Sequence, residues 1–311
     1  MSEGPPLGLV VMAYGTPRTP EEIEPYYTHI RRGRPPTAEQ LADLTRRYEA
    51  IGGISPLAER TEAQRAALAA ALDRRMPGRW TVVLGQKHAA PFIEDAVEAL
   101  ATAGVHDAVG LVLAPHHSRA SVGEYQRRAA EAGEEQGVRL HGIDQWHLEP
   151  AYLDHLAAAV RDARAGLPER HKVVFTAHSL PESALVDDPY ADQLQQSAAA
   201  VADQLGLGPW ADWGLAWQSA GRTPEPWRGP DILQVIRDLA ATGRAEGVLV
   251  CAQGFTSDHL EVLYDLDVEA ARVADEVGLA FARTRSLNDD AAVMEALADL
   301  VVARLAVDGV A

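Results

Sequence analysis

The chain has 311 residues, 47% of them hydrophobic, and carries 28 Lys and Arg against 45 Asp and Glu, a formal net charge of −17. That length suits two α/β domains of about 150 residues each, with interior enough to need no disulfide staples. The charge argues against nucleic acid and anionic lipid as partners, and a lone cysteine, Cys251, excludes an internal disulfide framework and a four-thiolate iron–sulfur cluster.

Residues 1–8 lack a basic stretch followed by an apolar one, so no secretory signal is read there. No run approaches the roughly 18 apolar residues of a transmembrane helix. The expected location is the cytoplasm. Short apolar runs, rich in Val and Leu and bounded by Gly or Pro, predict buried parallel strands at 9–13, 80–84, 108–114, 140–143, 172–177, 213–217, 247–252 and 279–283. Segments of helical period separate them at 37–51, 57–73, 91–101, 121–137, 151–164, 192–205, 230–240 and 261–277, with a last one at 290–307. Strand–helix alternation over the whole length predicts an α/β architecture with parallel sheets.

The two halves read as one plan used twice. Ala13-Tyr14-Gly15-Thr16-Pro17 matches Ala177-His178-Ser179-Leu180-Pro181 at the end of each first strand. After each second strand, Gln86-Lys87-His88 with Pro91-Phe92 is matched to Gln218-Ser219 with Pro226-Trp227. The expected domains are 1–147 and 148–287, with a C-terminal helix over 288–311 packing back on the first. Ligands of open parallel sheets bind outside the carboxyl ends of the strands. Facing lobes would set Tyr14, His88, His116 and His117 opposite His178, Ser219 and His259 across a cleft.

Three features carry chemistry. His178 directly follows a predicted strand, placed either to reach a site or to cap the next helix. Glu261, Asp265 and Glu269 recur every four residues and share one helical stripe. Such a stripe is either a solvated face or a hydrated path for divalent metal or protons; a His178 nitrogen and a Glu261 oxygen suit a borderline ion such as Fe²⁺. Five arginines, Arg31, Arg32, Arg34, Arg46 and Arg47, face only Glu39 and Asp43 in their segment. They are either solvated surface or a carboxylate clamp. Lys87 and His88 sit at a strand end, with a structural role equally open. His116 and His117 are adjacent and point apart, which disfavours a shared ion. Trp213, Trp217 and Trp227 read as core or wall, and Cys251 as a small buried hydrophobe.

Met12 to Pro17, Tyr26 to Gly33, Arg47 to Leu57, Thr176 to Pro181 and Asp258 to Asp265 together resemble the ferrochelatase family, closest to the monomeric, water-soluble bacterial enzymes that use coproporphyrin III. The likeness runs over nearly the whole chain. It implies two similar Rossmann-like, chelatase-like domains, each a parallel sheet flanked by helices, with a porphyrin cleft between them. It implies that His178 and Glu261 are the catalytic pair and metal ligands, and that Tyr14 is the proximal ligand of the product iron. Ile30, Arg31, Arg47, Ser55, Lys87, His88 and Tyr125 match porphyrin-binding positions; Asp265 and Glu269 match a second, acidic metal site with room for Mg²⁺. The implied reaction inserts Fe²⁺, a substrate, into coproporphyrin III. No tightly bound cofactor is expected, and transient contact with neighbouring haem-pathway enzymes is. Rival readings are a protoporphyrin IX ferrochelatase, a cobalt chelatase for a sirohydrochlorin-type ring, and a non-catalytic haem or metal carrier.

Overall fold

All eight apolar runs form strands, in two separate four-stranded parallel sheets. The computed structural model describes residues 4–209, 211–307 and 309. The chain divides into one unit made of Met1–Trp146 with Asn288–Ala311 and a second made of His147–Leu287.

In the first unit β1 (Leu7–Ala13), β2 (Trp80–Gln86), β3 (Asp107–Val112) and β4 (Arg139–Ile143) lie in the order β2-β1-β3-β4. β1 is buried at every position, as a central parallel strand covered on both faces must be. The connecting helices are α1 (Ile23–Ile30), α2 (Ala38–Ala50), α3 (Leu57–Arg75), α4 (Ile93–Thr102) and α5 (Val122–Gln136). In the second unit β5 (His171–His178), β6 (Trp213–Gln218), β7 (Gly247–Cys251) and β8 (Ala280–Arg283) take the same order, β6-β5-β7-β8. Its helices are α6 (Pro150–Arg164), α7 (Tyr190–Gln204), α8 (Ile232–Thr242), α9 (Leu260–Val262) and α10 (Ala271–Glu276). The last helix, α11 (Ala291–Val307), belongs to the first unit. Arg75 of α3 reaches Glu295 (2.7 Å) and Asp299 (2.6 Å) on it. The helix expected to 311 is described to Val307; 308, 310 and 311 lie outside the described residues. No helix among the described residues is long and apolar enough to cross a membrane.

The structure departs from the sequence reading in three places. Residues 23–30 form α1, so Arg31 stands at its C-cap, where Arg32 and Gly33 turn left-handed (φ 56° and 80°). The cationic run thus follows the negative end of a helix dipole. Between α9 and α10 the backbone widens into a π-helix over Leu263–Ala270 instead of continuing as one α-helix. Finally, the counterpart of Pro91 is Pro230, not Pro226. Gln86 N–H donates to the Pro91 carbonyl (2.8 Å), and Trp217 N–H donates to that of Pro230 (2.9 Å). Gln86 pairs with Ala13, and Trp217 with Ala177. Tyr14 and His178 therefore occupy equivalent positions, one residue past those alanines.

Candidate active site

Strand order decides where each unit can present side chains. The chain leaves β5 for β6 on one side and later returns to β7 on the other. β5 and β7 are neighbours, paired through Phe175 and Cys251, and the connections that leave their carboxyl ends part in opposite directions, the switch point at which open parallel sheets bind ligands. His178 ends β5, and Ala252–His259 leads from β7 into α9 with Glu261 in its first turn. Topology brings the two residues together. His178 Nε2 lies 3.6 Å from Glu261 Oε1, and both side chains are about a third exposed (35% and 36%). His259 Nε2 lies 3.6 Å from Glu261 Oε2. The carboxylate thus bridges two imidazoles, and the Phe255 ring packs against both, centroids 6.5 Å from His178 and 5.1 Å from His259.

Each imidazole is oriented by a backbone carbonyl at Nδ1, Ser179 O at 2.5 Å for His178 and Ser257 O at 2.9 Å for His259. A carbonyl only accepts, so both Nδ1 atoms carry the hydrogen and both Nε2 atoms turn to Glu261. Burial alone would lower the His178 pKa, but the Glu261 carboxylate and the Ser179 carbonyl together hold it above its ordinary value. Burial would likewise raise Glu261, and the imidazoles of His178 and His259 hold it below the usual carboxylate range. The two shifts run in opposite directions and both favour the charged forms, an imidazolium facing a carboxylate.

The acidic stripe divides by partner. Arg283 forks onto Asp267 (2.6 and 2.9 Å) and lies 3.3 Å from Asp258. Asp265 is buried (7%) and accepts from the Ser219 hydroxyl at 2.5 Å. Ser219 holds φ at +59°, a left-handed conformation that costs a non-glycine residue about 1 kcal/mol or more. Glu269 is half-buried on the π-helix. Among the described residues no three His, Cys, Asp or Glu form a closed metal cage. His178 Nε2 and the Glu261 carboxylate are donors on partly exposed side chains at the strand ends.

Gly254 sets how closely the β7 loop approaches this pair. A Cβ there would sit 2.5 Å from Ala177 Cβ and 2.8 Å from its Cα, one residue before His178. Gly254→Ala is expected to destabilise the chain by about 1–3 kcal/mol through overpacking and to lower turnover by displacing the end of β5. Denaturation midpoints with matched rate assays check this.

In the first unit Tyr14, 43% exposed, follows β1 and packs against His88 (centroids 4.6 Å). His88 Nδ1 meets His29 Nδ1 at 3.0 Å, and His29 stacks on Phe92. One of the two nitrogens must accept, so at least one ring is neutral. Burial, then the charges of Lys87, His29 and Arg128, pull the His88 pKa down to about 3, which makes it the neutral partner. Lys87 is matched by Glu124 (2.6 Å) and sits over the Tyr125 ring, whose side chain is buried. Ser55 is buried and accepts from Leu57 N–H, fastening the start of α3. Arg31 is half-buried, lies over the Tyr27 ring and donates to Arg34 O, with half-buried Ile30 before it. Arg47 lies 3.5 Å from Asp43 and stays 26% exposed.

The structure gives partners to Ser219 and His259, which the sequence placed at the strand ends beside His178 without a chemical role, and adds Phe255 around the pair and His29 and Glu124 in the first unit. His259 and Ser219 sit at strand ends and could have been promoted on that ground. Nothing in sequence spacing points to His29 or Glu124. Cys251 is fully buried, and burial pushes its thiol up to about 12.

The ferrochelatase family model matches residues 6–305. The coproporphyrin III ferrochelatase of Halalkalibacterium halodurans is 46% identical over 306 residues, covering 96% of this chain and 97% of that protein. The enzyme of the same name from Geobacillus kaustophilus is 44% identical over 309 residues, 97% of each. Among solved structures, SirB from Bacillus subtilis with Fe³⁺ aligns at a TM-score of 0.58 with 12% identity, covering 98% of this chain and 97% of that one. At that identity the structural likeness speaks for the two-sheet chelatase fold alone. With a family match and relatives above 40% identity over almost the full length, the chain belongs to the ferrochelatase family.

Proposed function

We propose that the chain inserts Fe²⁺ into coproporphyrin III to form coprohaem, releasing two protons, as a step of haem biosynthesis. The observation that carries this reading is the 3.6 Å His178–Glu261 pair at the switch point. The near-full-length relatives are coproporphyrin III ferrochelatases. The balance is simple. Two pyrrole N–H bonds break, four ring nitrogens bind the ion, two protons leave, and iron keeps its oxidation state.

A flat macrocycle hides its nitrogen lone pairs, so holding it distorted at about 1–5 kcal/mol of strain exposes them, offset by binding elsewhere on the ring. Arg31 and Arg47 are assigned to the ring carboxylates, with Ile30, Ser55, Lys87, His88 and Tyr125 lining its place. His178 accepts a pyrrole proton or ligates the arriving ion, and Glu261 takes the proton onward. Both tasks need a bare Nε2. Tyr14 supplies a phenol oxygen to the product iron, a known haem ligand type. Asp265 and Glu269 are assigned a second station for divalent cations, Mg²⁺ included; the Ser219 hydroxyl already engages one Asp265 oxygen. The reading places the enzyme in the cytoplasm, without nucleic acid and in passing contact with its pathway neighbours.

A pH dependence follows. Below its folded pKa His178 is an imidazolium and repels the ion. That pKa lies above the ordinary value of about 6.5 because Glu261 faces it. The apparent affinity for Fe²⁺ is therefore expected to rise with pH through a midpoint above 6.5. Glu261→Gln removes the charge and brings that midpoint down. Initial rates against Fe²⁺ at several pH values measure both.

The reading itself is tested by anaerobic mixing with coproporphyrin III, protoporphyrin IX or sirohydrochlorin, plus Fe²⁺ or Co²⁺, followed by visible spectra. Many turnovers with coproporphyrin III and Fe²⁺, and slower ones with protoporphyrin IX, are expected. A single ring metallated per protein would make it a carrier instead, and preference for cobalt and sirohydrochlorin would make it a different chelatase.

A further inference from the structure

Ser179 is 1% exposed and uses all three of its polar groups. Its N–H donates to Gln218 O (2.8 Å), its hydroxyl donates to Arg228 O (2.8 Å), and its carbonyl accepts His178 Nδ1–H (2.5 Å). The first bond ties it to the end of β6. The second ties it to the far end of the loop that follows β6. That loop is strapped to the 180–182 segment again by Arg228 N–H to Leu180 O (2.9 Å) and Glu182 N–H to Pro226 O (3.0 Å). It is braced within itself. Gly221 lies under the Trp227 indole, where an added Cβ would come within 2.4 Å, and Trp227 Nε1–H donates to Thr223 (2.8 Å). A buried serine held at two points thus holds out one carbonyl at a fixed angle, and the carbonyl is spent on the imidazole.

From this geometry we infer that Ser179 is a positioning residue: it holds the ring of His178 with Nδ1 on its own carbonyl and Nε2 turned to Glu261. The inference rests on the reading of His178 as the group that meets metal or pyrrole proton, and it names what aims that group. A free imidazole spreads its hydrogen between two nitrogens and its ring between several orientations. The carbonyl removes both freedoms. Nδ1 keeps its hydrogen, so whatever arrives must be met by Nε2. Such outer partners of a ligating histidine are worth about 10–100-fold in affinity or activity. The groups facing His178 are Glu261 and Asp265, with His259 across the Glu261 carboxylate; Tyr190, from α7, donates to the His178 carbonyl (3.3 Å). None of them can take the place of the carbonyl at Nδ1 without turning the ring away from Glu261.

The test combines nitrogen NMR of ¹⁵N-histidine-labelled full-length protein with steady-state kinetics. The His178 signals are assigned by their loss in His178→Ala. In the unsubstituted protein, at a pH where the ring is neutral, the Nδ1–H form is expected to predominate. Ser179→Ala frees the Arg228 carbonyl and loosens the carbonyl of residue 179. It should mix the two forms, raise KM for Fe²⁺ about tenfold, and leave the Kd for coproporphyrin III unchanged. Ser118→Ala, which alters a buried serine of the first unit, should leave the His178 signals and KM alone. A predominant Nε2–H form in the unsubstituted protein overturns the inference without any variant. So does a folded Ser179→Ala that keeps both the signals and KM. Full turnover by His178→Ala would instead sink the catalytic reading and leave the NMR result standing, so the two failures are distinguishable.

Discussion

His178→Ala is expected to lower turnover of Fe²⁺ into coproporphyrin III by about 10²–10⁴-fold while the ring still binds, because a positioned base contributes on that scale. Glu261→Gln should fall in the same range by a different route. The amide keeps the shape, and the Gln218 amide can still donate to the backbone carbonyl of residue 261 (3.0 Å). What disappears is the charge shared by the two imidazoles and, in the proposed mechanism, the acceptor for a proton from His178. The two variants should therefore have different pH profiles. Glu261→Gln retains a titrating histidine with a lowered midpoint, and His178→Ala has no such limb. Quenching of porphyrin fluorescence gives binding, and anaerobic stopped-flow absorbance gives the rate. Near-normal turnover in either variant contradicts the assignment.

The second large effect concerns the ring's carboxylates. Arg31 and Arg47 are both partly exposed, so each charge-assisted contact is taken near the lower end of about 1.5–3 kcal/mol. Removing both should weaken coproporphyrin III, with four carboxylates, about 100-fold. Protoporphyrin IX, with two, should lose at least several-fold less. Arg47 lies 3.5 Å from Asp43, so Asp43→Ala offers the reverse experiment: an arginine released from its acid should bind the four-carboxylate ring more tightly. Equal losses for the two rings in the double variant would show that the segment is a solvated surface and no clamp.

The strands were legible because a parallel strand buried on both faces must be a short, almost uninterrupted apolar run, and β1, β5 and β7 are written that way. The repeated plan was legible from Ala13-Tyr14 against Ala177-His178, since both ends stop on a small residue followed by a ring. α1 was hidden by Pro25 and by the Tyr26-Tyr27-Thr28 stretch, which favours strands; the proline is tolerated because it falls in the first turn, where its missing N–H is not needed. The π-helix was hidden because the acids at 261, 265 and 269 keep a helical spacing whichever backbone carries them. The proline equivalence was misread because a hydrogen bond from β6 to a loop carbonyl leaves no mark in composition. At the site, strand-end position and family motif single out His178 and Glu261, which the structure sets 3.6 Å apart, but the carbonyl behind each imidazole and the second imidazole on Glu261 are matters of angle. The left-handed Ser219 was equally out of reach, since nothing in residue type marks a serine for that conformation.

Crystals soaked anaerobically with Fe²⁺ and measured at the iron anomalous edge show whether His178 and Glu261 receive the iron together. One strong peak is expected about 2.0–2.2 Å from both His178 Nε2 and a Glu261 oxygen, the usual reach of imidazole and carboxylate ligands, absent from Glu261→Gln crystals. A peak on other residues, with none between these two, would contradict it.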